Sequence, residues 1–446
     1  MITVALPGGT GEITYRTGTL AVTPTEHIGK DPSTNHVPKN LRGVILAFVL
    51  SSLLVLASLF LSPPSFAQTV DDYDEAETDF EESIEFESPS GARDIIDFDI
   101  FEDIARARAR LEKMSCGFTV VRSKTVKKVR TGKKGKKWKQ VVRYGKPELG
   151  SFTILLAVEN VKTRDIRVIR VHPRLGGRTE SAIIEPGKAN GVNTKFTIIS
   201  PEHHVVLALK RPVRHGTTFR EVVYTPYSEG LDIPSVRKAG LEYLQGVIDN
   251  AKNDLIARRV RPASCNSFID NDISVVLAII EHIDPQKFTS GRYTPEKLIN
   301  ETLVILGTNK HNAYRYSKSK AGAVGLFQFI PATYKRVQNL YPQAGLIRDF
   351  SQGMTSHENA AKASFLLFDA DMNVLSDTRR SRLLDDPAAT GRFLASAYNC
   401  GPGRTRNSME RYGDNWASAV PTETKIYLRK FDAVLTWYRT GPFAAR

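Results

Sequence analysis

Ser319-Lys-Ala-Gly-Ala-Val-Gly-Leu-Phe-Gln-Phe-Ile-Pro-Ala-Thr333 is the stretch of the sequence that says most about the fold and chemistry of this chain. Gly322 and Gly325 favour a tight turn, because glycine adopts backbone conformations closed to other residues and lets another group approach closely. An apolar run follows, with one amide, Gln328, inside it and Pro331 at its end. A polar side chain within an apolar run needs a hydrogen-bond partner or a ligand. The stretch therefore predicts either a short buried element beside a glycine turn or the wall of a binding site.

The length and composition of the chain are those of a multidomain globular protein with an anionic partner. Its 446 residues are enough for two domains and accessory segments, and its 41% hydrophobic and 25% charged residues are ordinary for globular material. The net charge of +14 favours binding to a cell-wall polymer, a membrane surface or a nucleic acid. The three cysteines lack metal-ligand spacing, and we expect no metal site and no cofactor. Cys265 and Cys400 either pair in an exported protein or remain free thiols.

The N-terminal part of the chain contains a candidate export segment. Residues 1–42 are polar and show no sustained period, so we expect a disordered cytoplasmic region. Gly43–Leu61 is an almost unbroken apolar run, close to the roughly twenty residues that span a bilayer. The basic residues before it predict that the rest of the chain lies outside the cytoplasm. Residues 43–67 are thus a signal peptide or a membrane anchor, and the protein is expected to be membrane-anchored or secreted to the cell envelope.

Two segments of opposite charge follow the apolar run. Residues 68–110 are rich in aspartate and glutamate, whose mutual repulsion favours a flexible acidic linker. Residues 111–230 contain short β-type runs separated by Gly, Pro and Asn clusters, which predicts a small all-β domain, a sandwich or a barrel. Within it, Lys124–Lys139 is very basic and has glycines where a hairpin would turn. This segment is either a solvated hairpin tip or a contact for an anionic wall polymer or membrane surface.

The hydrophobic period becomes helical in the second half of the chain. Residues 231–262 predict an amphipathic connecting helix, and residues 263–440 predict an all-α domain. Within that domain a helix is expected to begin at Thr294 and to run to about Leu306, with Glu301 solvated. The sequence therefore predicts a multidomain α+β fold, with an N-terminal apolar export segment, a small all-β domain and a C-terminal all-α domain.

One carboxylate in this helical part is in an unusual position. Asp272–Ile283 predicts a helix that is apolar on nearly all sides, and Glu281 lies in its last turn before Asp284-Pro285 ends it. Burial and the negative end of the helix dipole both disfavour the charged carboxylate and raise its pKa. A carboxylic acid that stays protonated at neutral pH can protonate the leaving oxygen of a glycoside. The alternative is a glutamate at a helix terminus that faces the solvent.

Four motifs follow one another in the predicted all-α domain. They are Ser319-x-x-Gly-Ala-x-Gly-Leu-Phe-Gln-Phe-Ile-Pro-x-Thr333, His357-Glu-Asn-Ala-Ala-Lys-Ala-Ser-Phe-Leu, Ala397-Tyr-Asn-Cys-Gly-Pro-Gly403 and Pro421-Thr-Glu-Thr-Lys-Ile-Tyr427. In this order they resemble the signature motifs of the soluble lytic transglycosylases, relatives of goose-type lysozyme. The resemblance covers about residues 265–440 and implies a lysozyme-like fold for that domain. It does not extend to the first 260 residues.

The resemblance implies cleavage of the MurNAc–GlcNAc bond of peptidoglycan glycan strands by a single glutamate. That residue first protonates the glycosidic oxygen and then accepts the proton of the C6 hydroxyl, which closes a 1,6-anhydro ring. The same fold would also serve a muramidase, in which water attacks instead. The residues that the resemblance places along the glycan cleft are Ser319, Gln328, Tyr398 and Glu423, with Ile330 and Ala397 as its walls. It further implies that the Tyr398 hydroxyl holds the acid and that Asn399 braces its loop.

The sequence departs from the family at the acid itself. The family places Glu-Ser about a dozen residues before the Gly-Ala pair, where this chain has Lys310-His311. A lysine cannot act as that acid. We expect the acid to be Glu281, with residues 284–310 as an inserted helical hairpin. If the acid is instead lost, the protein is a glycan-binding wall protein without activity.

A third hypothesis, binding of nucleic acid by Lys124–Lys139, fits the charge but conflicts with export. No aromatic ladder accompanies the lysines, as single-strand binding would require. We therefore expect no specific nucleic-acid partner.

Overall fold

The computed structural model of the chain describes residues 2–6, 9–16, 19–22, 100–131, 137–172, 183–187 and 195–443. These residues belong to two units, Met1–Pro63 and Pro64–Arg446. The candidate export segment 43–67 and most of the acidic segment 68–110 lie outside the described residues. Among the residues that are described, no helix is both long and apolar enough to cross a bilayer.

The first unit contains an antiparallel sheet of three strands in sequential order. The strands are β1 (Ile2–Leu6), β2 (Gly9–Arg16) and β3 (Thr19–Val22). The β-branched residues that suit strands are frequent in this stretch of the sequence. The structure therefore corrects the prediction of disorder for residues 1–42 where these strands lie. That prediction gave the glycines and prolines more weight than the β-branched residues.

The β region of the second unit consists of one open sheet and two separate ribbons. Its strands are β4 (Phe118–Thr131), β5 (Lys137–Phe152), β6 (Ile154–Asn160), β7 (Ile166–Val171), β8 (Ile183–Gly187), β9 (Lys195–Ser200), β10 (His204–His215) and β11 (Thr218–Tyr224). The sheet is antiparallel in the order β11-β10-β6-β7, whereas β4 pairs with β5 and β8 pairs with β9. The described strands thus form neither the predicted sandwich nor the predicted barrel. The predicted basic hairpin is the β4–β5 ribbon.

A helix that overlaps the end of the predicted acidic linker packs on this sheet. Helix α1 (Ile100–Glu112) buries Ile100, Ile104, Ala107 and Leu111, which recur at helical spacing, in a core shared with β6 and β10. The prediction of a flexible spacer over residues 68–110 is therefore wrong for its last part. The acidic residues before this helix concealed its apolar stripe.

The helical region follows the sheet. Its helices are α2 (Pro234–Ala257), α3 (Asn271–Ile280), α4 (Pro285–Thr289), α5 (Pro295–Asn309), α6 (Pro331–Leu340), α7 (Phe350–Thr355), α8 (His357–Met372), α9 (Asp377–Leu384), α10 (Pro387–Cys400), α11 (Pro402–Tyr412), α12 (Trp416–Ala419) and α13 (Thr422–Thr440). The chain is thus a mixed helix-and-sheet protein with small sheets and a helical C-terminal region.

Helix α2 forms where the sequence predicts a connecting helix, but it belongs to the helical core. It packs against α5 and α8. At Gly240 an added Cβ would lie 2.0 Å from the Leu303 carbonyl oxygen, and at Gly307 it would lie 2.3 Å from that of Val236. The two glycines therefore let the backbones of α2 and α5 approach to a distance that a side chain would prevent.

A buried polar network joins the sheet region to the helical region. Arg108 of α1 donates to the Thr308 carbonyl oxygen at 2.9 Å and to the Asn309 side-chain oxygen at 2.6 Å. The Asn309 amide group in turn exchanges hydrogen bonds of 2.9 and 2.8 Å with the backbone of Thr225. Since buried polar groups are costly unless paired, these bonds fix the sheet against α5.

Candidate active site

The turn stretch, residues 319–333, forms a compact turn. Gly322 and Gly325 have φ of +83° and +78°, as the glycines predict. The Ser319 N–H donates to the Ala323 carbonyl oxygen at 2.9 Å, and the Ser319 hydroxyl accepts from the Ala323 N–H at 3.0 Å. A Cβ at Gly325 would lie 2.0 Å from the Met354 carbonyl oxygen, so the turn is pressed against the end of α7. Position 325 therefore requires glycine, both for its positive φ and because no side chain fits at this contact.

The amide within the apolar run lies at the edge of a cleft. Gln328 has φ of +46°, which is uncommon for a residue with a side chain, and its amide donates to the Gly325 carbonyl oxygen at 2.6 Å. The polar side chain thus finds its partner within the turn and also lines the cleft. Pro331 is the first residue of α6, so it starts a helix as well as ending the run.

The cleft is formed by segments that are far apart in the sequence. The end of α3 contributes Glu281, and the start of α4 contributes Pro285. The turn stretch and α8 supply further walls, and the end of α10 adds Tyr398 and Asn399. Helix α13 contributes four residues, Glu423, Ile426, Tyr427 and Lys430. Five of the six residues that the resemblance places along the glycan lie in this lining, together with the expected acid.

Glu281 is the buried carboxyl group of this cleft. It follows the last residue of α3 and is 9% exposed. The Tyr427 hydroxyl donates to Glu281 Oε1 at 2.5 Å. Burial raises the pKa of Glu281 to about 7, against the opposing effects of the Tyr427 hydrogen bond and the Lys430 cation. A substantial fraction of this carboxyl group is therefore protonated near neutral pH, as the sequence analysis expects of an acid.

A buried lysine holds the end of the acid-bearing helix. Lys430, 4% exposed, donates to the carbonyl oxygens of Ile280 and Ile283 at 2.9 Å each. These carbonyls belong to the last turn of α3 and the residues after it, where a cation also complements the helix dipole. Burial lowers the pKa of Lys430 to about 8, and the nearby Glu281 carboxylate opposes that effect. The lysine therefore fixes the backbone on both sides of Glu281.

Tyr427 and Lys430 are two cleft residues for which no function was predicted from the sequence. Tyr427 appeared only as the last residue of a motif. With Glu423, the two residues follow the spacing i, i+4 and i+7, which places all three on one face of a helix. That spacing is the signal by which the sequence could have associated them with the cleft.

Two expectations about the end of α10 need correction. The Tyr398 hydroxyl donates to the Phe327 carbonyl oxygen at 2.5 Å, so the contact to the acid is made by Tyr427 instead. Ala397 is buried in the hydrophobic core and is not part of the cleft lining, because it lies on the inner face of α10. The side-chain oxygen of Asn399, also at the end of α10, accepts a hydrogen bond of 2.7 Å from the Thr424 hydroxyl, which joins α10 to α13.

His282, next to Glu281, makes contacts that stabilise the local structure. Its ring stacks on Tyr314 with centroids 3.4 Å apart, and Nε2 lies 2.8 Å from the Leu326 carbonyl oxygen. Burial lowers the pKa of His282 to about 3, so the imidazole is neutral and donates to that carbonyl. This contact ties the end of α3 to the turn stretch.

The segment between the acid and the turn stretch is helical, as expected for an inserted hairpin, but α5 is largely buried. Glu301 is not solvated as predicted: it is ion-paired with Lys195 of β9 and lies 3.7 Å from Lys287 of α4. Lys310, at the position where the family has its acid, is exposed and outside the cleft lining. All three cysteines are free thiols, including Cys265 and Cys400.

Comparison with known families agrees with these motifs. The model of the Transglycosylase SLT domain family matches residues 311–419. The matched range contains the turn stretch, the start of α8 and the loop after α10, whereas Glu281 and α13 lie outside it. None of the curated proteins compared with the chain matches it. The chain therefore contains a transglycosylase SLT domain, which indicates a peptidoglycan-related function of the lytic transglycosylase type and glycan strands as the substrate class.

Proposed function

We propose that this protein, which contains a transglycosylase SLT domain, is a peptidoglycan lytic transglycosylase in which Glu281 is both acid and base. The observation that carries the proposal is the position of the Glu281 carboxyl group. It is buried in the same cleft as Ser319, Gln328, Tyr398 and Glu423 and accepts a hydrogen bond from Tyr427. The acid is thus supplied by the end of α3, and the absence of a carboxylate at Lys310 does not remove the chemistry.

The protonation state of Glu281 suits the first step. A pKa of about 7 leaves the group partly protonated at neutral pH and ready to give up its proton. Because the Tyr427 hydroxyl donates to Oε1, the transferable proton is on Oε2. Oε2–H protonates the glycosidic oxygen as the bond from C1 of MurNAc breaks, and the substrate's own N-acetyl oxygen supports the charge at C1.

The second step uses the same carboxyl group as a base. Glu281 accepts the proton of the C6 hydroxyl, whose oxygen attacks C1 and closes the 1,6-anhydro ring. The proton lost in the first step is thereby returned, and no water is consumed. The Lys430 cation lowers the pKa of Glu281, which limits how basic the carboxylate becomes. A pKa near neutrality serves both directions of transfer.

We further propose that the protein acts outside the cytoplasm, where peptidoglycan lies. The apolar run Gly43–Leu61 and the basic residues before it support export. Residues 43–67 would then be a cleaved signal peptide or a retained anchor. Labelling of cysteines on intact and on permeabilised cells distinguishes a chain exposed at the outer face from one that remains inside.

Digestion of purified peptidoglycan, followed by mass analysis of the products, tests the proposed chemistry. We expect wild type to release anhydro-sugar ends and Glu281→Gln to lose at least about a thousandfold in rate. Glu296→Gln, at an exposed position in the first turn of α5, is the matched control and should keep its activity. Thermal melting of both variants shows whether the fold is retained.

Other product patterns would contradict the proposal in different ways. Reducing ends in place of anhydro ends would make the enzyme a muramidase with the same acid. Unchanged activity in Glu281→Gln would show that another group is the acid. Binding of glycan by wild type without any cleavage would favour the glycan-binding wall protein.

A further inference from the structure

The β4–β5 ribbon is separate from the sheet of the β region. The two strands pair only with each other among the described strands, from Phe118↔Phe152 to Thr131↔Lys137. Strands of 14 and 16 residues extend about 45 Å at roughly 3.3 Å per residue. The ribbon is held at its base, where Arg214 donates to the Pro147 carbonyl oxygen at 2.6 Å.

Both faces of the ribbon are open beyond this base. Residues 119–129 are all exposed, although successive side chains of a strand point to opposite faces. On the partner strand, residues 142–144 are likewise exposed without interruption. An isolated two-stranded hairpin is marginally stable in water, so a ribbon of this length gains from a surface that covers it.

The ribbon combines apolar and basic side chains. Six of the fourteen large exposed hydrophobic residues among the described part of the chain belong to it: Val120, Val121, Val126, Val129, Val142 and Tyr144. Its described side chains include seven basic residues and one acidic residue: Arg122, Lys124, Lys127, Lys128, Lys139, Arg143, Lys146 and Glu148. Three more lysines lie between the strands in the sequence.

The strand register puts the two kinds of side chain on the same face. Lys124 lies opposite Tyr144, and Val126 lies opposite Val142, two residues further along. Residues directly opposite each other in an antiparallel pair share a face, as do residues two apart in one strand. Val126 is 49% exposed and Tyr144 is 65% exposed. This face therefore carries cationic and apolar side chains next to one another, with Lys128 two residues beyond Val126.

The mixture favours one class of partner. A soluble polyanion would neutralise the lysines but would leave the valines and the tyrosine in water. An anionic lipid surface offers phosphates to the lysines and an apolar interior to the valines, and its interface suits tyrosine. We propose that the β4–β5 ribbon is a docking element for the anionic lipid surface of a membrane. This role is independent of the chemistry proposed for the cleft.

Hydrogen exchange of the full chain, measured by mass spectrometry on ribbon peptides, tests the proposal. Vesicles of phosphatidylcholine with an increasing fraction of phosphatidylglycerol are used at saturating lipid. Hydrogen exchange is read only on ribbon peptides, and any insertion of Gly43–Leu61 into the vesicle bilayer is common to all variants. We expect ribbon amides to be protected by anionic vesicles and not by pure phosphatidylcholine. Protection should weaken at high salt, because surface charges are screened.

Two sets of variants separate the contributions of charge and of apolar contact. Replacing Lys124, Lys127 and Lys128 by glutamine should lower the protection factor at least about tenfold, since each lysine near an anionic surface is worth about fivefold in binding. The Val126→Thr and Val142→Thr pair should lower it about threefold or more, because threonine keeps the β-branched shape but not the apolar surface. Ile199→Thr, at an exposed position of β9, should leave it unchanged.

Either of two results would overturn the proposal. One is the absence of ribbon protection with anionic vesicles. The other is protection of the ribbon by long-chain polyphosphate or duplex DNA that equals the protection by anionic vesicles and is the same in the valine variants as in wild type. That result would make the ribbon a contact for soluble polyanions. Cleavage of soluble glycan fragments should be the same in all ribbon variants.

Discussion

Lysines in two regions of the second unit have opposite surroundings. Lys430 is 4% exposed and donates two hydrogen bonds of 2.9 Å to the turn that carries Glu281. Lys127, on the β4–β5 ribbon, is exposed and is one of many similar charges. A buried charge with specific partners is costly to remove, whereas an exposed charge acts weakly and adds to its neighbours. The cleft should therefore depend on single residues, and the ribbon on its composition as a whole.

The largest effect is expected at the buried lysine. Lys430→Met keeps the length of the side chain but removes the hydrogen bonds to the carbonyl oxygens of Ile280 and Ile283 and the cation beside Glu281. We expect the free energy of unfolding to fall by about 3 kcal/mol. Urea unfolding at pH 7 measures this change. Lys127→Met is the matched control and should change stability by less than about 0.5 kcal/mol. Equal losses in the two variants would contradict the contrast between the regions.

The turn stretch should be sensitive in a similarly local way. Gly325→Ala forces a Cβ to within 2.0 Å of the Met354 carbonyl oxygen, at a φ of +78°. We expect a loss of about 2 to 3 kcal/mol, from strain and overpacking together. Gly322→Ala has a similar φ of +83° but open space around the Cβ, so only about 1 kcal/mol should be lost. Thermal melting of both variants separates the cost of the steric clash from the cost of the positive φ. A larger loss at Gly322 would show that the clash is relieved by movement of α7.

The third effect concerns the acid itself. The reaction requires protonated Glu281, so the rate should fall as the pH rises through about 7. The Tyr427 hydrogen bond lowers the pKa of Glu281, and its removal in Tyr427→Phe should move this alkaline limb to higher pH. We also expect kcat/KM at pH 6 to fall about tenfold, because the acid loses its orienting contact.

The control for this effect is a second tyrosine of the same cleft. Tyr398→Phe removes a hydroxyl that donates to the Phe327 carbonyl oxygen and leaves the contact to Glu281 in place. Its alkaline limb should stay near that of wild type. A shift in Tyr398→Phe without one in Tyr427→Phe would reverse the assigned functions of the two hydroxyls.

The sequence predicted those parts of the site that depend on local pattern. Glu281 ends an apolar helix, and the glycines of the turn stretch have the positive φ that their residue type suggests. Contacts between distant segments could not be predicted in this way. Tyr427 reaches Glu281 across 146 residues because α13 passes the end of α3. No local pattern shows that crossing.

The errors in the fold have a similar cause. Glu301 seemed solvated because its partner Lys195 comes from a strand of the β region. Ala397 lies beside a cleft residue in the sequence, yet the turn of α10 directs it into the core. Helix α1 is different, since its apolar stripe can be found in the sequence. The helix was missed because the acidic residues before it favoured the prediction of a flexible linker.

The smallest effect is expected from a single change on the ribbon. Lys127→Gln removes one exposed charge among seven described basic residues, and no single lysine dominates such a set. We expect less than about 0.5 kcal/mol of change in stability and about a fivefold fall in ribbon protection on anionic vesicles. Urea unfolding and hydrogen exchange measure the two quantities on the same preparation. If Lys127→Gln alone abolished protection, the ribbon would contain a specific site like that of Lys430, and the distinction between a residue-dependent cleft and a composition-dependent ribbon would fail.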